Sequence, residues 1–341
     1  MSRYAAEHRP LDRTKDGMSY GVLLPHFGEF ATPSRIIDGA KRCEEAGFDA
    51  LWVRDHLLWA PHGMEGTNRT FVEPLATLAA IAARTKKVCL GTAVLIPLRW
   101  PLKLAQDLAS LDYLARGRVV AGMGLGSGAE LPAVGFRKQD RKKIFVETVQ
   151  ILEKVWTSHD VSHEGQLFSF SGVDIEPKPS KPIPIWYGGT TPVSVENAAT
   201  YCQGWMPGRI PMATLEDRLA QIDELVSDGV TRAVTKSVIP IVKIDTSRDR
   251  ARSGLDVDSL AGSSEASATW KMPPGGFQTI DDLRGLLCVG EPGEIVEQVA
   301  EFGERGVDHF VFDLRLQFDE FEKAIDLLAT DVLPALRAAK V

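Results

Sequence analysis

Beyond a polar N-terminal stretch, short apolar runs rich in branched residues alternate with amphipathic segments of ten to twenty residues, and the alternation persists to the C-terminus. Eight of the runs, at 20–24, 50–53, 88–93, 119–122, 183–187, 204–206, 237–244 and 309–313, have the length and composition of buried strands. The segments between them predict helices at 35–46, 74–84, 101–115, 138–156, 192–201, 214–226, 292–305 and 321–339. In the first of these Ile36, Ile37, Ala40, Cys43 and Ala46 recur at helical spacing, Thr32-Pro33-Ser34 precedes them, and Gly47 supplies a left-handed stop. Pro74 and Pro101 open their helices, where a missing N–H costs nothing.

Strands alternating with helices of this length pair in parallel through right-handed crossovers, and eight such units close into a (β/α)8 TIM barrel of the α/β class. A doubly wound open sheet would instead place a glycine-rich turn directly after the first strand, where Pro25-His26-Phe27-Gly28-Glu29 stands. The chain's 341 residues exceed the roughly 250 of a standard barrel. The excess falls in a tail at 1–17, expected to be flexible, and in two insertions within a single domain of 18–341. The insertion at 158–181, between strands four and five, has the spacing of a hairpin crossing the barrel mouth. The other, 248–287, lies between strands seven and eight and reads as a binding loop or as a mobile segment without function.

Charge acts on this picture by exclusion. Lys+Arg 39 against Asp+Glu 46 gives a formal net charge of -7, and the basic residues form only short runs such as Arg141-Lys142-Lys143, unlike a nucleic-acid footprint. Cys43, Cys89, Cys202 and Cys288 share no metal-ligand spacing and read as buried reduced thiols. With no apolar signal core and no uninterrupted apolar run of about 18 residues, the expectation is a cytoplasmic protein without a membrane span.

In such a barrel the C-terminal strand ends face the active-site mouth, so chemistry is sought there. Strand one ends at His26, a candidate for the substrate pocket or for loop packing. Strand two ends at Asp55-His56, which couples a fixed acceptor to a group that titrates near neutrality; an Asp capping a loop beside a solvated His is the alternative. Strand four runs into GMGLGSGAE, residues 122–130. Here Gly124 and Gly126 either let a flat ring or a phosphate chain lie against backbone or serve a simple turn. Strand five ends at Tyr187-Gly188-Gly189-Thr190-Thr191 before a helix opening at Pro192, where free N–H groups and hydroxyls suit a phosphate, or merely cap the helix. Trp59 and Trp205, near polar ends, are candidates for covering a planar cofactor or an apolar substrate.

Five ordered segments carry a family resemblance: YGVLLPHFG, EEAGFDALWVRDHLL, VCLGTAVLIPLRWPLKLAQDLASLDYLARGRVVAGMGLG, KPIPIWYGGTTPVSVENAATYCQGWMP and CVGEPGEIVEQVAEFGERGVDHFVF. From Gly21 onward the chain resembles the bacterial luciferase-like monooxygenases and their deazaflavin-dependent relatives. The resemblance implies a barrel that binds the deazaflavin coenzyme F420, or FMN, at its C-terminal mouth. It implies that Asp55-His56 sits by the redox ring, that a non-proline cis peptide falls at Ala93-Val94 beneath the ring, and that the phosphate lies around 188–191. Some sugar-phosphate dehydrogenases of the branch carry an acid where this chain has Ser127. The acid here comes later, at Glu130, which weighs against a sugar-phosphate substrate and leaves Glu130 as a candidate pocket acid.

The implied activity is hydride transfer between a deazaflavin and a small, largely apolar organic substrate, with His56 exchanging the proton. With FMN it would be a two-component oxygenase fed by a separate reductase. A flavin-binding relative without turnover is the non-enzymatic alternative, and it has no need of Asp55-His56 beside the ring. Relatives are commonly homodimers, and the helices at 74–83 and 101–114 could supply an interface or could equally pack on the barrel.

Overall fold

The computed structural model describes residues 10–61, 63–126, 129–227, 229, 233–262 and 265–340. Eight parallel strands, β1 (Ser19–Leu23), β2 (Ala50–Val53), β3 (Cys89–Thr92), β4 (Val119–Met123), β7 (Ile185–Gly188), β8 (Gly204–Met206), β9 (Thr235–Val238) and β12 (His309–Asp313), form the staves of a barrel. Pairing of β12 with β1, in the register Gly21↔Val311, closes it. The helices on the outside include α1 (Pro33–Glu45), α2 (Pro74–Ala82), α3 (Pro101–Ala115), the short α4 (Glu130–Ala133), α5 (Arg141–Thr157), α6 (Pro192–Tyr201) and α7 (Met212–Ser227). The (β/α)8 barrel expected from the alternation is the observed fold.

The strands read as continuous apolar runs because both faces are covered, by helices outside and by packed side chains inside. The interior floor is two indoles, Trp52 and Trp186, with ring centroids 5.3 Å apart. Their size is matched by glycines on neighbouring strands: a Cβ at Gly91 would lie 2.3 Å from Trp52, and one at Gly204 2.3 Å from Trp186. His309 completes the layer, accepting from Trp52 Nε1 at 3.0 Å through Nε2 and meeting Ser19 Oγ at 2.7 Å through Nδ1. Burial pushes its pKa down to about 3, so it is a neutral packing residue.

Residues 1–9 of the expected tail lie outside the described residues. From Pro10 the chain packs against the barrel: Leu11 is buried, its carbonyl accepts from Ser19 Oγ at 2.9 Å, and Asp12 accepts from the Thr235 hydroxyl.

The insertion at 158–181 forms an antiparallel pair, β5 (Val161–Glu164) with β6 (Ser169–Val173). It is fastened to the outside of the barrel by Glu147 of α5, whose carboxylate accepts from the N–H groups of Gln166, Leu167 and Phe168.

The run at 237–244 is two strands. Proline has no N–H for the ladder, and at Pro240 the chain leaves the barrel after β9 and restarts as β10 (Ile241–Ile244). That strand pairs in parallel with β11 (Leu287–Gly290), which begins where the expected insertion ends and is not among the eight expected strands. Between them α8 (Arg248–Arg252) and α9 (Val257–Ala261) help to build a separate small core around Leu260, Leu283 and Leu286, joined by Met64 from the loop after β2. Among the described residues no helix is long and apolar enough to cross a membrane.

Candidate active site

At the C-terminal ends of the strands lies a cavity of about 800 Å³. Of the residues expected there, Asp55, His56, Ala93, Val94, Gly124, Gly126, Tyr187, Gly188, Gly189, Thr190 and Thr191 line it. Ser127 lies outside the described residues. Glu130, His26, Trp59 and Trp205 are not among the lining residues but stand behind the wall. Arg54, Ile96, Leu125, Arg141 and Ser194 line it as well.

The floor is the bulge after β3, with a cis peptide at Ala93-Val94. Asp55 holds the bulge in place: its carboxylate accepts from the Ile96 N–H at 3.0 Å and from Arg99 Nη1 at 2.8 Å, and Arg99 also reaches Glu73 at 2.6 Å. The glycines of strands four and seven exist for the same bulge. A Cβ at Gly124 would lie 2.7 Å from Val94, at Gly126 2.4 Å from Ile96, and at Gly188 2.8 Å from both Val94 methyls. They clear space for protein side chains, and they also line the cavity with bare backbone.

His56 sits between two partners. Arg54 Nη2 can only donate, so at 3.2 Å the His56 Nε2 is the acceptor. That leaves Nδ1–H to donate to Glu130 Oε1 at 3.3 Å. Glu130 is 1% exposed and also accepts from the N–H of Leu57 at 2.9 Å, so it is placed to orient His56 and its loop.

His26 is fully buried. Its ring reaches the Leu24 carbonyl through Nδ1 and accepts from the Arg54 N–H at 3.0 Å through Nε2, which ties strand-end one to strand-end two. Burial pushes its pKa down to about 4, as suits a neutral scaffold residue. Trp59 stacks obliquely on His56 with centroids 5.4 Å apart, and Trp205 donates Nε1–H to the Gly189 carbonyl at 2.9 Å. Both support the wall.

The opposite end is a cradle. Thr191 caps α6, its hydroxyl accepting from the Ser194 N–H at 3.2 Å and lying 2.8 Å from Ser194 Oγ. Gly189 has φ +145°, and a Cβ there would lie 2.5 Å from Ser194 Oγ, so only glycine keeps this turn open. Arg141, the first residue of α5, faces the same end. Tyr187 accepts from Asn197 Nδ2 at 3.1 Å, and burial pushes its hydroxyl up to about 12. Thr190 is shared with the insertion: Trp270 Nε1 donates to its hydroxyl at 3.3 Å, while Arg218 donates to its carbonyl at 3.0 Å and to that of Thr269 at 3.1 Å. A helix N-terminus, two hydroxyls and a guanidinium thus line one cavity, and these are donors of the kind that could hold an anion.

A family model for luciferase-like monooxygenases matches residues 18–309. The chain belongs to that family. Among curated relatives of this luciferase-like protein, the F420-dependent glucose-6-phosphate dehydrogenases of Nakamurella multipartita and Amycolatopsis mediterranei are each 28% identical. The matches cover 94% of this chain and 96% and 98% of theirs. An F420-dependent secondary alcohol dehydrogenase in complex with an F420-acetone adduct shares the fold with TM-score 0.75 and 22% identity, over 94% of this chain and 99% of that one. The oxygenating constituent of 3,6-diketocamphane monooxygenase from Pseudomonas putida, in complex with FMN, shares it with TM-score 0.73 and 17% identity, over 93% and 98%. This luciferase-like barrel is therefore an oxidoreductase.

Of the lining residues that sequence reasoning missed, Ser194 had a signal, since it stands three residues after the Thr191 cap and within its reach. Arg141 had none, because in sequence it belongs to a solvated basic run.

Proposed function

We propose that the protein is a deazaflavin-dependent oxidoreductase that moves a hydride between coenzyme F420 and a small organic substrate. The observation that carries this is the joining, in one cavity, of an anion cradle at one end and a bulge floor beside His56 at the other. The residues present fit the coenzyme: Gly189, Thr191, Ser194 and Arg141 would hold its phosphate, and Ala93 and Val94 would support its ring. When bound, the deazaflavin supplies two-electron hydride chemistry without oxygen.

The chain's own residues orient the ring, exclude water behind Trp59 and Trp205, and manage a proton at His56 Nε2. Glu130, fixed by backbone N–H groups, would stabilise the His56 imidazolium through Nδ1–H once that proton arrives. FMN with oxygen and a separate reductase is the second reading, favoured by the FMN-bound structural neighbour. The 28% identity of the F420-dependent curated relatives, against 17% for that neighbour, puts it second. A homodimer through α2 and α3, where Tyr113 and Leu114 are exposed, and a cytoplasmic location complete the proposal.

Anaerobic titration of the purified protein with F420 and with FMN tests the reading; tighter binding of FMN would reverse the order of the two. His56→Ala should lower kcat by about 100-fold against a panel of alcohols and phosphorylated sugars, with the coenzyme Kd unchanged. Equal turnover by the variant and the parent would remove His56 from the proton step.

A further inference from the structure

One cation in the cavity wall is left over by the reading above. Arg54, directly after β2, holds its guanidinium over two rings, 5.1 Å from the Phe27 centroid and 5.0 Å from that of Trp59. Its Nη2 donates to His56, but its Nη1 is shut off from solvent and has no hydrogen-bond partner among the described residues. The nearby carboxylates are engaged elsewhere. Glu65 lies 3.0 Å from Arg315 Nη1, and Asp313 accepts from Arg315 Nε at 2.7 Å. A third guanidinium, Arg209 after β8, donates to the Leu260 carbonyl of α9. Three cations thus face two carboxylates, and both carboxylates pair with Arg315.

We propose that Arg54, which lines the cavity, forms an anion subsite that receives a phosphate or carboxylate group of the substrate, with the nearby Arg209 guanidinium adding to its positive potential. This rests on the reading of the cavity as the redox site, because it places the substrate's anion beside His56. Burial and the neighbouring Arg315 guanidinium both disfavour the charged form of Arg54, whose pKa falls to about 9, and the same two causes bring Arg209 to about 10. An anion at the cavity wall acts on both penalties: it adds an acceptor for the Arg54 guanidinium and offsets the repulsion among the guanidiniums.

The two rings hold the Arg54 fork in one orientation, so it cannot swing out to water to satisfy itself. An uncharged substrate would leave it unpaired, and that is the stronger form of discrimination, because a site rejects most firmly a ligand that leaves its buried polar groups without partners. The expectation of a largely apolar substrate is replaced by one with an anionic group at one end.

The test is isothermal titration of the F420-saturated protein with inorganic phosphate and, separately, with acetate, at fixed ionic strength. The parent should bind one equivalent of at least one of these, and the ratio of the two affinities tells a phosphate from a carboxylate subsite. Arg54→Met and Arg209→Met should each weaken binding by about tenfold or more, with Arg54→Lys intermediate and the F420 Kd unchanged. Anion binding that is absent in the parent or equal in Arg54→Met overturns the proposal. So does a comparable loss of F420 affinity in Arg54→Met, which would give the residue to the coenzyme. If Arg54→Met does not fold, Arg209→Met and Arg54→Lys carry the same readout. If the parent binds no F420, the function proposed above falls separately. The phosphate titration is then run on Gly189→Val, whose blocked cradle leaves the Arg54 subsite as the expected anion site.

Discussion

The two ends of the cavity are built on different principles. At the floor, between the ends of β2, β3 and β4, the protein saturates its own groups apart from Arg54 Nη1: Asp55 is spent on Arg99 and the Ile96 amide, Glu130 on His56 and the Leu57 amide, and the glycines on Val94 and Ile96. At the cradle between β7 and α6, hydroxyls and the helix N-terminus are arranged around an opening. Floor residues therefore act through the shape of the protein, and cradle residues through what they offer a ligand. Substitutions at the floor should register first in stability, and those at the cradle first in affinity.

The harshest way to break this contrast is Gly122→Ala. Its Cβ would fall 1.9 Å from the Thr92 carbonyl oxygen, a backbone atom that cannot rotate away. Overpacking of this kind should cost about 3 kcal/mol or more, read as lost soluble protein or a collapsed thermal melt. A well-folded variant would show that the floor yields. Asp55→Ala comes next: it strips the Ile96 amide and the half-buried Arg99 of their acceptor and should cost about 2 kcal/mol in urea unfolding, with coenzyme affinity falling as a consequence. Loss of affinity at unchanged stability would move Asp55 from floor to ligand contact. Thr191→Val has the smallest expected effect on the fold, about 1 kcal/mol for the lost helix cap. Its coenzyme Kd should nonetheless rise by about tenfold, since a hydroxyl donor to an anion is gone. An unchanged Kd would take Thr191 out of the cradle.

Much of this is legible in the sequence alone. Barrel strands announce themselves because parallel staves covered on both faces read as unbroken apolar runs, and Thr191-Pro192 marks a helix start by rules local to a few residues. What escaped was set by contacts between distant segments. The roles of Gly124 and Gly126 depend on which side chain the β3 bulge pushes toward them. Arg54 stands next to Asp55 in the chain, but its unpaired state depends on Phe27 and Trp59 closing over it and on Arg315 taking both carboxylates. The division of the seventh strand had a local signal, Pro240. An apolar run on both sides of it outweighed that one missing donor.

Thr190 has one foot in the cradle and the other in the insertion, through Trp270 and Arg218. Linkage makes any such sharing reciprocal: a ligand that strengthens the hold of Trp270 on Thr190 is itself held more tightly, by the same coupling free energy, when the insertion is docked. A coenzyme held at the cradle as proposed would thereby be coupled to the docking of the small core around Leu260. A change made far from the phosphate, on the buried side of the insertion, would reach the coenzyme through one hydroxyl.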